Sequence, residues 1–354
     1  MKKLFSFVIA LSFALMVSAQ APSNYYNSAN GLTGNQLKMA LHNIIKGHTT
    51  ISYSQTMNAF WSTDNKGNGV VWDMYSDRPG GTPPYIYYLG QDNCGNYQQE
   101  GDCYNREHSW PQSWFHEQST PRTDMHHIFP TDGYVNGRRS DYPFGEVRSA
   151  SWTSQNGSKL GTCKTPGYSG TVFEPIDEYK GDFARAIMYM SVRYYTEDDA
   201  WKTTDMTTKS EIKPWAIEML MRWNEQDPVS PKEINRNNVI FTDYQHNRNP
   251  FVDHPEYARM IWDPNWNGVD DNQEAVYLFP NPIERGQTLH LSGNARQFDA
   301  VAICDLCGRT LLKASGNAVG DFAVTLPADF SRGCYIVKLM RNKSVVKYEK
   351  LMVK

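Results

Sequence analysis

Cysteine is scarce in this chain, with six in 354 residues, too few for a small disulfide-built scaffold. Long apolar runs are scarcer. Past the first twenty residues no stretch approaches the ~20 apolar residues that cross a bilayer, so the sequence offers no stable membrane span. There is no basic excess either, since 35 Lys and Arg stand against 38 Asp and Glu. Residues 22–274 hold 22 basic and 32 acidic side chains, net −10. That balance weighs against a broad basic surface, and any polyanion binding there rests on a local cluster such as Arg138, Arg139 and Arg148 or Arg236 and Arg248. Residues 275–354 reverse the sign, with 11 basic and 6 acidic, net +5. No internal repeat or low-complexity tract is present, which removes solenoid and disordered readings. What remains, 40% hydrophobic and 13% aromatic residues with a mean hydropathy of −0.61, is a soluble globular composition of one large domain and one small one.

The exception among apolar runs is the start. Lys2 and Lys3, the uncharged stretch Leu4 to Val17 and the small residues Ser18 and Ala19 have the layout of a secretory signal peptide over residues 1–19. Export through the periplasm to the medium or the cell surface is the expectation. In an oxidising compartment Cys94 and Cys103, nine apart in a Gly/Asn/Gln-rich loop, are the favoured disulfide. Cys163 sits alone in the middle region, while Cys304, Cys307 and Cys334 cluster near the C-terminus without a nearby histidine, so CDLCG reads as small buried hydrophobes or one adventitious bridge rather than a redox or zinc half-site.

Patterning changes near residue 275. Before it the signals are mostly helical: Leu37, Leu41, Ile44 and Ile45 ahead of Gly47; Phe183 to Tyr195; Trp215 to Trp223 behind Pro214; and a capping box from Ser230 to Glu233. After the turn-rich WDPNWNGVDDNQEA come short β-branched and aromatic segments, LHLSG, FDAVAICD, RTLLKA, DFAVTLP, GCYIVKLM and VVKYEKLMV. Their spacing of about ten residues argues for a small antiparallel β-sandwich. The expected fold class is α+β, with a mainly helical domain over 20–274 and the sandwich over 275–354.

Reactive side chains concentrate between Asn105 and Val147, which holds four of the nine histidines. The order read from sequence is a strand ending at Pro111, a second strand DMHHIF breaking at Pro130, and a helix with Thr131 or Asp132 as N-cap. His108 titrates near neutrality and could take a proton from water. Glu107 and the amide oxygen of Asn136 could face a hard divalent cation that keeps most of its waters, as phosphodiester hydrolysis requires. Neither a helical HExxH nor a closed Cys/His set is present, which leaves a zinc hydrolase a weak alternative.

The segment resembles the bacterial endonuclease I family, secreted and periplasmic nucleases of the ββα-metal (His-Me finger) class. The resemblance rests on Arg106-Glu107-His108 with Trp110-Pro111, on Asp124-Met125-His126 with Pro130, and on Gly133 to Ser140. It extends over about residues 25–263 through GLTGNQLKMALHNIIKGH, FEPIDEYKGDFARAIMYMSVRYY and NRNPFVDHPEYARMIW. It implies a ββα-metal core with His108 as the general base and Glu107 and Asn136 as ligands of Mg²⁺, with Ca²⁺ or Mn²⁺ as alternatives. Cleavage of DNA, and in several members RNA, with little sequence preference and 5′-phosphate products is likewise implied. Arg122, Arg139 and Arg248 are the candidates for a phosphate clamp. The short loop between His108 and Asp124 prevents the family's product-phosphate arginine from being placed.

The tail, with LFPNPIERGQTLHLSG, ICDLCGRTLL and LPADFSRGCYIVKLM, resembles the type IX secretion sorting domain, which implies the secretion machinery as a partner. No other protein partner can be inferred. A carbohydrate-binding sandwich is the alternative for the tail, although few aromatics there look exposed. For the whole chain the rivals are a secreted ribonuclease using the same site and a non-catalytic surface binding module.

Overall fold

The computed structural model describes residues 21–263, 277–292, 299–305, 308–315, 322–341 and 344–354. The expected signal peptide at 1–19, the turn-rich break up to residue 275 and Cys307 lie outside the described residues. Helices and antiparallel sheets are mixed, an α+β architecture, and the chain divides into two compact units, Met1–Asn267 and Gly268–Lys354.

In the first unit the elements run α1 (Gly34–Ile45), α2 (Tyr53–Thr63), β1 (Tyr104–His108), α3 (Ser119–Arg122), β2 (Ile128–Asp132), α4 (Gly133–Arg139), β3 (Val147–Thr153), β4 (Lys159–Cys163) and β5 (Thr171–Glu174). They continue with α5 (Lys180–Arg193), β6 (Thr207–Thr208), β7 (Glu211–Ile212), α6 (Pro214–Gln226), α7 (Pro231–Val239), α8 (Pro250–Asp253) and α9 (Tyr257–Trp262). Helix α5 is the axis, and every one of its residues is buried. Its apolar residues Phe183, Ile187 and Met190 join one core with Leu37, Leu41, Phe144, Phe173, Leu220 and Trp223. Its charged residues are buried too, so each needs a partner. Lys180 meets Glu174 at 2.7 Å, Asp182 meets Lys232 at 3.0 Å, and Arg185 meets Glu233 at 2.5 Å.

Several local rules hold as the sequence suggests. Ser230 and Glu233 make the reciprocal capping box of α7, and Pro214 opens α6. Others are overruled. The stretch before residue 275 is less uniformly helical than its periodicity suggests, because β3, β4 and β5 form an antiparallel sheet and β6–β7 a short hairpin. DMHHIF is not one strand: Asp124 caps a single 3₁₀ turn at Met125–His127 through the His126 N–H, and the strand begins only at Ile128. Pro130 does not break that strand. β2 has β1 as its one partner strand, so the missing proline N–H faces away from the ladder.

In the second unit β8 (Tyr277–Phe279), β9 (Thr288–Ser292) and β12 (Phe322–Thr325) form one antiparallel sheet in the order β12-β9-β8. β10 (Ala300–Cys304), β11 (Thr310–Ser315), β13 (Gly333–Arg341) and β14 (Ser344–Val353) form another in the order β11-β10-β13-β14. Alternate residues Tyr335, Val337 and Leu339 of β13 share one core with Leu289, Leu291, Val301, Ile303 and Leu351. Cys163, Cys304 and Cys334 are free thiols, the first two buried.

Cys94 and Cys103 are disulfide-bonded with 5.7 Å between their Cα atoms. The closed loop lays Tyr97 on α4, where a Cβ at Gly133 would stand 2.6 Å from Tyr97 Cδ1 and one at Gly137 2.8 Å from its hydroxyl. The glycines are therefore where loop and helix meet. Gly133→Ala is expected to cost about 1–3 kcal/mol in urea unfolding, the range for overpacking, and less in a Tyr97→Ala background. Equal costs in the two backgrounds would show that Tyr97 is not the contact.

Candidate active site

β1 and β2 pair antiparallel, with Glu107 opposite Phe129 and His108 opposite Ile128. The chain then turns directly into α4, whose N-cap is Asp132: its Oδ1 accepts from Val135 N at 2.8 Å, and its Oδ2 accepts from the Tyr87 hydroxyl and the Gly101 N–H. Successive strand residues point to opposite faces. Asn105 and Glu107 meet α4, whereas Arg106 and His108 meet Tyr53, the first residue of α2.

On the α4 side, Asn136 donates its amide to Asn105 Oδ1 at 2.7 Å and to the Arg106 carbonyl at 3.1 Å. One turn later Arg139 forks over the end of β1, donating to the His108 carbonyl at 3.0 Å and the Ser109 carbonyl at 2.6 Å. The same guanidinium lies 3.1 Å from Glu107 Oε1, which also accepts from the Tyr75 hydroxyl at 3.0 Å. Burial pushes the Glu107 carboxyl up to about 7, against the pull of Arg139 and Tyr75. Both partners meet Oε1. Among the described residues Glu107 Oε2 and Asn136 Oδ1 carry no hydrogen bond, so two hard oxygen donors are left open to a cation.

On the other side, His108 is buried and its Nε2 lies 3.0 Å from the Arg122 carbonyl. A carbonyl only accepts, so Nε2 carries the proton and Nδ1 presents a lone pair. That Nδ1 is buried and, among the described residues, has no hydrogen-bond partner. Burial, aided by neighbouring His127 at 5.4 Å between ring centroids, pushes the imidazole down to about 3, so it is neutral at neutral pH. His127 is pinned alike, donating from Nε2 to the Pro121 carbonyl at 2.7 Å. The end of α3 thus supplies the carbonyls that orient both rings.

That end is itself held by Asp124. Its carboxylate accepts from Tyr189 at 2.8 Å, Tyr194 at 3.0 Å, Gln245 at 3.0 Å and the His126 N–H at 3.1 Å. Burial alone would raise its pKa. His48, His126 and His127 override burial and, with Gln245, hold the carboxyl well below the usual range.

The three arginines expected to clamp phosphate divide. Arg139 is buried on Glu107 and two carbonyls, and Arg248 is buried on Asp253 at 2.6 Å and Asn238 at 2.8 Å. Both hold the fold together, because each guanidinium is buried on internal acceptors, and the nitrogens left without a partner, Arg139 Nε and Arg248 Nη1, are buried too. Among the described residues Arg122 has no carboxylate partner. It donates to Gln112 at 2.8 Å and packs on Tyr53, 4.3 Å from the ring centre. Sequence reasoning did not single out Tyr53, Tyr75 or Arg106 by role. The Ser52 to Gln55 capping box, which opens α2 at Tyr53, is readable in sequence. Nothing local signals Tyr75.

A strand pair and helix that carry a neutral imidazole on one face of β1 and open oxygen donors on the other hold groups of the kind a hydrolase uses. Residues 33–256 match the model of the Endonuclease I family, and the chain belongs to that family. It is 38% identical over 261 residues to "Extracellular ribonuclease" of Bacillus amyloliquefaciens, an alignment covering 71% of this chain and 82% of that one. Identity to the protein of the same name from Bacillus subtilis is 39% over 266 residues, covering 71% and 83%. "Endonuclease-1" of Buchnera aphidicola subsp. Baizongia pistaciae is 28% identical over 131 residues, covering 37% and 46%. Residues 277–354 match the secretion system C-terminal sorting domain, the type IX address. The protein is thus a secreted nuclease, a phosphodiester hydrolase. Among the described residues no helix is long and apolar enough to cross a membrane.

A carboxyl raised by folding binds its proton more tightly in the native chain than in the unfolded one, where it titrates near 4.5. Its stabilising contribution is complete below that pH and is lost as the pH climbs through about 7. Asp73 is likewise raised to about 7 by burial, so a difference measurement is needed. The melting temperature of metal-free wild type minus that of Glu107→Gln is expected to fall across this window. A constant difference would contradict the raised carboxyl.

Proposed function

We propose that this protein is a metal-dependent, sequence-non-specific endonuclease that hydrolyses DNA, and RNA as well, in a catalytic domain over residues 20–274. In this reading 1–19 is a signal peptide and 275–354 a β-sandwich sorting domain. β1, β2 and α4 are the ββα-metal core. The observation that carries the reading is the buried, unpartnered Nδ1 of His108, held in the base tautomer by the Arg122 carbonyl.

His108 takes the proton of the attacking water on Nδ1. The water attacks phosphorus opposite the 3′ oxygen, which departs and leaves a 5′ phosphate. The Nε2–H stays on the Arg122 carbonyl and stabilises the imidazolium that forms. Burial makes the free imidazole a weak base, but the negative charge of a bound phosphodiester opposes burial and raises its pKa. Arg122, without a carboxylate partner, is the arginine of the three that is available to a phosphate oxygen.

Glu107 and Asn136 would hold the metal. Their open oxygens fit a hard cation, and the raised Glu107 carboxyl, with one guanidinium partially offsetting its burial, fits a site that gains from more positive charge. With two protein donors, Mg²⁺ that keeps several waters suits the set better than zinc, with Ca²⁺ or Mn²⁺ as alternatives. When bound, the cation would neutralise charge developing on the phosphate oxygens and the leaving group. RNA is included because the Bacillus relatives are named ribonucleases.

The test is cleavage of supercoiled plasmid and of RNA by the full chain, with Mg²⁺ or with EDTA, for wild type and His108→Ala. Nicking that needs the metal and falls about 10²–10⁴-fold in the variant, the usual share of a general base, is expected. The variant should retain its circular dichroism spectrum. Cleavage that survives His108→Ala, or that is indifferent to EDTA, would overturn the reading.

A further inference from the structure

In the catalytic unit most buried or half-buried arginines are ion-paired: Arg139 with Glu107, Arg185 with Glu233, Arg193 with Glu197, Arg236 with Asp64, Arg248 with Asp253 and Arg259 with Glu225. Two half-buried arginines next to His108 are not. Arg106 and Arg122 pack their guanidinium carbons 3.8 and 4.3 Å from the centre of the Tyr53 ring. Among the described residues the buried Nε of Arg106 has no hydrogen-bond partner, as is true of Arg139 Nε and Arg248 Nη1, but Arg106 alone of these three also lacks a carboxylate. Two like charges gathered on one ring, in a net acidic domain, repel each other unless an anion joins them.

The setting suits an anion. The Ser52 capping box fixes the start of α2 and so the place of Tyr53, whose ring lies 6.2 Å from that of His108 at an interplanar angle of 21°. A cleft of about 270 Å³ on the Arg122 side of the ring is lined by Ile51, Tyr53, Ser119, Thr120, Arg122 and the exposed Glu117; Arg106 meets Tyr53 outside that lining. Strand alternation puts Arg106 on the same face of β1 as His108, away from Glu107 and Asn136. We propose that Arg106, held on Tyr53, binds the backbone phosphate next to the scissile one, so that the enzyme grips a polynucleotide strand at two consecutive phosphates. Arg122, on the same ring, faces the scissile phosphate. The inference rests on the nuclease reading above and adds to it a specificity for polymer over isolated diesters. The aromatic ring keeps both guanidiniums in place without neutralising them, which a carboxylate would do.

The experiment compares wild type, Arg106→Gln and Tyr53→Leu, as full chains with Mg²⁺, on a single-stranded oligonucleotide and on thymidine 5′-(p-nitrophenyl phosphate), a diester with no neighbouring phosphate. For Arg106→Gln, KM on the oligonucleotide is expected to rise about tenfold, the effect of one charge-assisted hydrogen bond. The loss of kcat/KM should be about tenfold larger on the oligonucleotide than on the small diester. The slope of log KM against log salt should become shallower by about 0.7, one phosphate contact on a single strand. Tyr53→Leu, which removes the platform but no charge, should raise KM while keeping the wild-type salt slope. Equal losses on both substrates, or an unchanged slope in Arg106→Gln, would overturn the proposal. If wild type cleaves neither substrate the nuclease mechanism fails, and the subsite is then judged by fluorescence anisotropy of the same oligonucleotide on wild type and Arg106→Gln across salt. A wild-type slope steeper than the variant's supports it, and equal slopes refute it.

Discussion

The hydrogen bond from His108 Nε2 to the Arg122 carbonyl is the constraint on which the rest depends. A carbonyl cannot donate, so it selects one tautomer and leaves the other ring nitrogen, which is buried, with a free lone pair. The bond is only as good as the backbone that offers it. That backbone is the end of a four-residue helix, too short to hold itself, and it is fixed from behind by Asp124. Two tyrosines of the α5 region, a glutamine and a backbone N–H converge on that one carboxylate. Asp124 shares this task with Arg236, which donates to the Met125 and Ile128 carbonyls, and with Gln245, which accepts from the Met125 N–H.

Charge is handled in two ways in this unit. Where a charge must be buried for the fold, it is paired, as along α5 and at Arg139. Arg139 is the most consequential of these, since one guanidinium ties α4 to the end of β1 and partially offsets the burial of Glu107. Near His108 the pairing stops. Among the described residues Glu107 Oε2, Asn136 Oδ1, His108 Nδ1 and Arg106 Nε have no hydrogen bond, and unmade interactions of this kind lower stability where they are buried.

How much of this was legible in sequence varies with range. Capping boxes, the proline at the start of α6 and the cysteine pair at 94 and 103 are local signals, and the structure carries each of them. The strand, strand, helix order around His108 was legible as well. Its boundaries were not, because a histidine pair before a strand reads as strand, while the Asp124 side chain captures the His126 N–H and starts a turn instead. The sheet over 147–174 escaped notice for a related reason: β3 is largely exposed and carries no alternation of apolar residues. Long-range partners are invisible in principle to periodicity. Nothing about Arg139 or Arg248 announces whether it will meet a phosphate or a buried carboxylate, and the fold alone assigns both to internal partners. The same holds for Tyr53, which becomes notable only when β1 brings Arg106 and His108 up to it.

Which nitrogen of His108 carries the proton is reported directly by ¹⁵N chemical shifts of the imidazole, assigned by comparison with a His108→Gln variant. A protonated Nε2 and an unprotonated Nδ1 in the metal-free protein at neutral pH are predicted. An Nδ1-protonated ring, or an imidazolium at that pH, would mean that the Arg122 carbonyl does not set the tautomer and that His108 is not poised as the base.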